Sequence, residues 1–132
     1  LSYDSITAAP ARDEEEPAAA IGLADHRPKA REAKAGEPFE ITVLCANLGK
    51  TTWKCQGNDP TRLSLSWQHF DHKEIQDDRI WLPRDVPPGD TVRVKCSVKA
   101  PERSCSVLLL DMVHENVRFF RQGLLLSVQI VE

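Results

Sequence analysis

The sequence predicts an all-β fold, an antiparallel sandwich of short strands, and three observations carry that prediction. After Gly36, apolar residues recur at every second position in several segments, the period of a half-buried strand. Clusters of Gly, Pro, Asn and Asp separate these segments at intervals of roughly 8–15 residues, the punctuation of an antiparallel meander. No stretch after residue 36 shows the apolar period of an amphipathic helix of useful length.

The elements follow in order. Residues 1–35 contrast with the remainder. Ala8-Ala9-Pro10-Ala11, Asp13-Glu14-Glu15-Glu16-Pro17 and Ala18-Ala19-Ala20 are acidic and rich in Ala and Pro. Such a stretch buries too little apolar surface to offset its chain entropy, so 1–35 is expected to be a linker or extended segment. Within it Ile21-Gly22-Leu23 can begin an edge strand, and Arg27-Pro28-Lys29 continues as an extended basic approach. The sandwich itself is expected over residues 36–132. Phe39, Ile41, Val43 and Cys45 alternate with Glu40, Thr42 and Leu44 up to the turn Asn47-Leu48-Gly49-Lys50. Leu63, Leu65 and Trp67 alternate with Ser64, Ser66 and Gln68. His69–Lys73 reads as a hairpin turn into a strand over Glu74–Leu82. Asp85-Val86-Pro87-Pro88-Gly89-Asp90 is a turn, because proline fixes φ and glycine permits positive φ. Val92, Val94, Cys96 and Val98 alternate with Arg93, Lys95 and Ser97 before the turn Ala100–Arg103. Cys105–His114 is apolar on both faces at its centre, which suits a central strand covered on both sides. Glu115–Arg118 breaks it, and Leu124, Leu126, Val128 and Ile130 form the last strand. Six or seven such strands are the pattern of an immunoglobulin-like sandwich.

Bulk properties bound the function. A chain of 132 residues is long enough for one domain with a real core. Its 17 basic and 20 acidic residues give a formal charge of -3, which argues against an electrostatic nucleic-acid binder. No apolar run approaches the ~20 residues of a membrane-spanning helix. The chain opens Leu1-Ser2-Tyr3-Asp4, without an initiator Met, signal peptide or lipidation motif, and is expected to be a piece of a larger protein. Four cysteines, Cys45, Cys55, Cys96 and Cys105, permit two disulfides, yet their spacing is not that of a compact cysteine framework and no C-x-x-C occurs. Cys45 and Cys96 read as small core residues, and reduced thiols are favoured over a disulfide.

The order of landmarks resembles a known group. It runs Gly36-Glu37-x-Phe39, Asn47-x-Gly49-x-x-x-Trp53 and Arg62-Leu63-x-Leu65-x-Trp67. It continues through Leu82-Pro83-x-Asp85-Val86-Pro87-Pro88-Gly89, Ala100-Pro101, Leu110-Asp111-Met112-Val113-His114-Glu115 and Phe119-Phe120. Over residues 36–132 this looks like the immunoglobulin-like accessory modules of bacterial cell-surface polysaccharide proteins, among them glycosyltransferases, sugar methyltransferases and O-antigen ABC exporters. The Asn-x-Gly…Trp element is also similar to the four-tryptophan domain of autophagy receptors, a protein-binding sandwich. Each landmark has a local reason. Asn47 and Gly49 suit a positive-φ corner, and Trp53 can fold over the end of the core. The chain departs from such modules at Cys105, where a glycine is usual, at Val107, in place of an aromatic, and at Phe119, at a frequent Trp position. The resemblance implies a glycan-recognition module attached to an upstream host domain; the cysteine pattern leaves the compartment open, with the bacterial cytoplasm slightly favoured.

Candidate site residues follow from how sugars bind, with C–H faces on exposed rings and hydroxyls held by polar side chains. Trp67 belongs to an alternating apolar set and reads as core, and Trp53 reads as a core lid. Trp81 precedes Leu82-Pro83 on a polar strand and is the best platform candidate. Phe119 and Phe120, being consecutive, point to opposite faces, so one is expected in the core and the other exposed. Asp111, His114, Glu115, Arg118 and Arg121 cluster around one strand end and can bind sugar hydroxyls or an acidic substituent, or form a structural salt-bridge network. A buried Asp111 would need partners, which Arg118 or Arg121 can supply. The expected ligand-binding set is Trp81, Asp111, His114, Glu115, Arg118, Phe119 and Phe120. His69, Asp71 and His72 are spaced too loosely to fix a metal, and no cofactor is expected. With no nucleophile elbow, phosphate loop, dinucleotide fingerprint or zinc helix, no catalytic residue is expected either. The expected function is non-catalytic recognition of a glycan. The alternative is a protein-docking or homodimerisation domain, because open sheet edges can pair with another chain.

Overall fold

The computed structural model describes residues 18–24, 31–68, 74–102 and 106–131. The stretches around His69-Asp71-His72, Arg27–Lys29, Cys105 and the acidic run Asp13–Glu16 lie outside them. The described residues form an all-β immunoglobulin-like sandwich. The strands are β1 (Ala19–Leu23), β2 (Arg31–Lys34), β3 (Pro38–Asn47), β4 (Thr61–Gln68), β5 (Glu74–Trp81), β6 (Thr91–Lys99), β7 (Ser106–His114), β8 (Arg118–Phe119) and β9 (Leu124–Val131). One sheet has the order β1-β3-β6, and the other has β2-β9-β7-β4-β5, with β8 also paired to β7.

The alternating segments fold as their period dictates. In β6, Val92, Val94, Cys96 and Val98 are buried while Thr91, Arg93, Lys95, Ser97 and Lys99 are exposed. Ile41, Val43 and Cys45 of β3 lie beside them in the same sheet, and Leu63, Leu65 and Trp67 of β4 belong to the opposite sheet. Phe39 meets the Trp67 indole edge to face, with ring centroids 6.1 Å apart. The Trp67 Nε1–H is buried and has no acceptor among the described residues. Trp53 lids the end of the core: it is buried, lies 5.6 Å from Phe120 in a T-shaped pair, and exchanges both backbone hydrogen bonds with Val86. Cys45, Cys55 and Cys96 are free thiols. Burial pushes Cys45 up to about 12, with Cys96 adding to the effect, and Cys96 up to about 11.

The sequence pattern and the structure differ in two places. Two described segments before Gly36 belong to the sheets: β1, which takes in the edge strand expected at Ile21-Gly22-Leu23, pairs antiparallel with β3, and β2, for which no strand was expected, pairs with β9 in parallel. β1 buries Ala19 and packs Ile21 and Leu23 against the core, whereas β2 is an edge strand with a single buried apolar residue, Ala33. The second difference concerns Asn47. Neither Asn47 nor Gly49 has positive φ; the positive values fall at Gly36, Gly57, Gly89, Asn116 and Arg121 among the described residues. Asn47 works through its side chain instead. Fully buried, it donates from Nδ2 to the carbonyls of Thr51 and Val86, both at 2.9 Å, and accepts from the Gly49 N–H at 2.9 Å. Gly89, at φ 84, donates its N–H to the Asn47 carbonyl at 2.7 Å. The loop after β3 is thereby fastened to the Pro-Pro-Gly-Asp turn before β6.

Candidate functional site

The larger sheet has a second, outward face, and its register decides which predicted residues meet there. Directly paired residues on neighbouring strands project to the same side. Trp81 of β5 pairs with Arg62 of β4, Arg62 with Val113 of β7, and Val113 with Phe119 of β8. The row Trp81–Arg62–Val113–Phe119 therefore lies on one face, opposite the core row of Ile80, Leu63 and Met112. Two residues further along, Arg79, Ser64 and Asp111 form the next outward row.

Charges bind these rows together. Glu115 sits in the turn between β7 and β8, held by its N–H to the Pro60 carbonyl. Its Oε2 lies 3.5 Å from Nη1 of Arg62 and 3.2 Å from Nε of Arg79. The Arg62 guanidinium stacks 3.6 Å above the Trp81 ring, and the Arg79 guanidinium stands 5.2 Å from that of Phe119. Arg79 Nη1 also donates to the Ser64 hydroxyl at 3.2 Å. Both guanidiniums and the carboxylate are half-buried, at 24%, 21% and 18% exposure, so screening by water is reduced and their side chains are fixed. Trp81 is 56% exposed although one face lies under Arg62, which leaves ring surface open to a ligand.

The predicted site residues thus separate into four places. Trp81, Glu115 and Phe119 come together on the outward face, but Phe119 is buried under Arg79 and offers no platform. Phe120 is buried in the core against Trp53, so neither phenylalanine is the exposed one. His114 and Arg118 pair with each other, and His114 with Thr61, one step out of phase with the Trp81 row; they belong to the other side of the sheet. Asp111 is 1% exposed and holds the chain. It accepts from the backbone N–H groups of Met112 at 2.8 Å, Arg121 at 3.1 Å and Gln122 at 3.4 Å. These bonds fix a bulge between β8 and β9 in which Arg121 adopts φ 61. Gly123 completes the bulge, since a Cβ there would collide with the Leu110 carbonyl oxygen. The partners that a buried carboxylate needs include backbone amides, a role for Asp111 distinct from ligand binding.

Two members of the outward cluster, Arg62 and Arg79, are absent from the sequence-derived set. The alternation of Leu63, Leu65 and Trp67 places Arg62 outward, and Arg79 shares a face with Trp81 two residues on. Their meeting depends on the β4–β5 register, which the sequence leaves open.

The sequence matches no protein-family profile and no curated protein. Its fold does have counterparts among solved structures. The CARDB domain of the Pyrococcus furiosus protein PF1109 superposes with a TM-score of 0.52 at 12% identity, covering 88% of this chain and 94% of that one. The sporulation control protein Spo0M of Bacillus subtilis gives 0.54 at 13% identity, over 89% of this chain and 50% of Spo0M. A Listeria innocua β-glucosidase in complex with glucose gives 0.53 at 8% identity, over 88% of this chain but only 16% of the enzyme. At such identities the likeness establishes the shared sandwich fold.

Proposed function

We propose that this chain is a non-catalytic glycan-recognition module, attached to a larger protein of bacterial cell-surface polysaccharide synthesis or export and directed at an O-antigen-like polymer. The observation that carries the reading is Trp81: an indole more than half exposed, clamped on one face by Arg62 and flanked by the fixed Glu115–Arg79 pair. A sugar ring needs a rigid apolar platform with a few immobile polar groups beside it, and this arrangement offers both. The occurrence of the same sandwich as a small part of a β-glucosidase chain is consistent with an appended module. A shallow surface leaves much of a sugar solvated, so each site is weak and a host carrying several engaged sites gains through effective concentration.

The experiment is an amide chemical-shift titration with purified bacterial O-polysaccharide. The reading expects shifts concentrated at Trp81, Arg62, Arg79 and Glu115, lost in Trp81→Ala. A silent spectrum at millimolar repeat unit, with self-association of the chain instead, would favour docking. That second reading has its own observation: β5 and β6 each end a sheet and have a free edge among the described residues.

A further inference from the structure

Beside Trp81, on the flank of the sandwich, the edge strands of the two sheets approach each other. A groove of about 350 Å³ opens there, lined by Trp81 and Pro83 from one sheet's edge and its exit, and by Arg93, Val94 and Lys95 from the other. That volume is at the small end of the ~300–1,000 Å³ typical of ligand clefts. Arg93 and Lys95 are two residues apart on β6, so both project from its exposed face while Val94 between them turns inward. Neither has an ion-pair partner among the described residues, and the exposed Asp78 of β5 pairs with neither. The groove thus combines an apolar wall, indole and proline, with two cations that have no ion-pair partner among the described residues. Lysine on an edge strand also discourages strand-to-strand aggregation. That role asks only for charge, and an exposed indole beside the edge would work against it.

We infer that this groove is a subsite for a negatively charged sugar residue. Its carboxylate or acidic substituent is received by Arg93 and Lys95, and its ring lies against Trp81 and Pro83. The inference rests on the glycan reading of Trp81 and narrows it to an acidic polymer. The chemistry matches at each wall. A uronic acid ring has an apolar C–H face and carries its charge at the periphery, and Arg provides a planar fork for carboxylate where Lys provides a point charge. An acidic peptide fits less well. A strand added to the β6 edge would draw on the backbone along Thr91–Lys99, whereas the groove meets three residues of that strand.

The test titrates the chain, by amide shifts, with oligogalacturonate, oligomannuronate and a hyaluronan oligosaccharide. Each is matched by its carboxyl-reduced neutral counterpart, and a hexaglutamate peptide serves as the charge control. The inference expects at least one acidic sugar to shift Arg93, Lys95 and Trp81. It expects carboxyl reduction to weaken that binding about tenfold or more, the scale of one charge-assisted hydrogen bond. In Arg93→Gln/Lys95→Gln, whose denaturation midpoint should match the parent, the acidic and neutral sugars should bind alike. Added salt should weaken the acidic sugar selectively. Equal binding of acidic and reduced sugars to the parent chain overturns the subsite and leaves the glycan reading standing. Hexaglutamate binding as tightly as the sugars overturns it in favour of a protein partner. Failure of every sugar, acidic and neutral, overturns the subsite, and failure of the bacterial O-polysaccharide as well overturns the glycan reading with it.

Discussion

The two strands β6 and β4 make the most instructive contrast in the molecule. β6 alternates without exception, apolar inward and polar outward, as expected of a strand with one wet face. β4 does not: Ser64 and Ser66, on its outward side, are as buried as Leu65 on its inward side. The sheet of β6 is a wall. The sheet of β4 is a wall with a second layer on its outer side, built from long side chains: Arg62, Arg79, Glu115, Phe119 and Trp81. Polar groups under such a layer must be paired where they stand, so their side chains lose freedom. Fixed side chains next to an exposed ring are what recognition requires, and they occur on this face.

The largest expected effect sharpens the contrast from the inner side. Trp67→Ala should cost roughly 3–5 kcal/mol, the range for truncating a buried aromatic, read from the denaturation midpoint. A midpoint that barely moves would remove Trp67 from the core. Next comes the bulge. Asp111→Ala strips acceptors from the amides of Arg121 and Gln122 and should cost about 1–3 kcal/mol. Native-state hydrogen exchange at those two amides should quicken while that at Leu63 and Leu108 changes only by the global amount. Exchange that quickens equally everywhere would mean that Asp111 does not hold the bulge locally.

Glu115→Gln probes the outer layer itself. It removes the charge shared by Arg62 and Arg79 and should cost about 1 kcal/mol or less, since the groups remain partly solvated. A loss on the scale of Trp67→Ala would show the outer layer to be a second core. Thiol reactivity gives a smaller, purely kinetic contrast: burial raises Cys45 and Cys96, so alkylation of the native chain should reach Cys55, which is less buried though raised by its hydrogen bond to Asp85, before either of them. Rapid modification of Cys45 would contradict the packing of the sandwich interior.

The smallest effect is one of pH. The Asp90 carboxyl lies below its usual range because Arg84 hydrogen-bonds it at 2.8 Å and the Thr91 N–H adds to this. Asp85 is lowered mainly by the Cys55 N–H, which it accepts at 2.8 Å. A depressed carboxylate binds its proton more weakly folded than unfolded. Its contribution to stability is therefore present above the unfolded value and fades as pH falls through the folded one. Asp90→Asn should flatten the acid limb of the stability profile slightly; an unchanged limb would mean that the Arg84 contact is not kept in solution.

Much of the sandwich can be read from the residues, and the reason differs by element. The β6 alternation needs no tertiary information, and the turn at Pro87–Asp90 follows from φ restrictions alone. The apolar centre of β7 suits a central strand, and β7 does lie inside its sheet, between β9 and β4. β2 is illegible, because Arg31-Glu32-Ala33-Lys34 has one apolar residue and joins the sheet through backbone bonds to β9. At the candidate site, the exposure of Trp81 follows from its polar strand. The separation of His114 and Arg118 from Glu115 does not, since one residue of register moves a side chain to the other face. Arg62 and Arg79 escaped for the same reason. Asp111 interrupts an apolar run as a ligand-binding residue would, and only the bulge at 121–123 shows what that carboxylate holds.

The account's central claim is that Trp81 belongs to a binding surface and Trp67 to the core. Trp81→Ala, measured for both stability and binding of whichever acidic oligosaccharide shifts the parent chain, tests it most directly. The account predicts a stability loss of about 1 kcal/mol at most, the worth of an exposed cation–π contact, together with disappearance of the ligand-induced shifts. Retained binding, or a loss of stability comparable to that of Trp67→Ala, would contradict it.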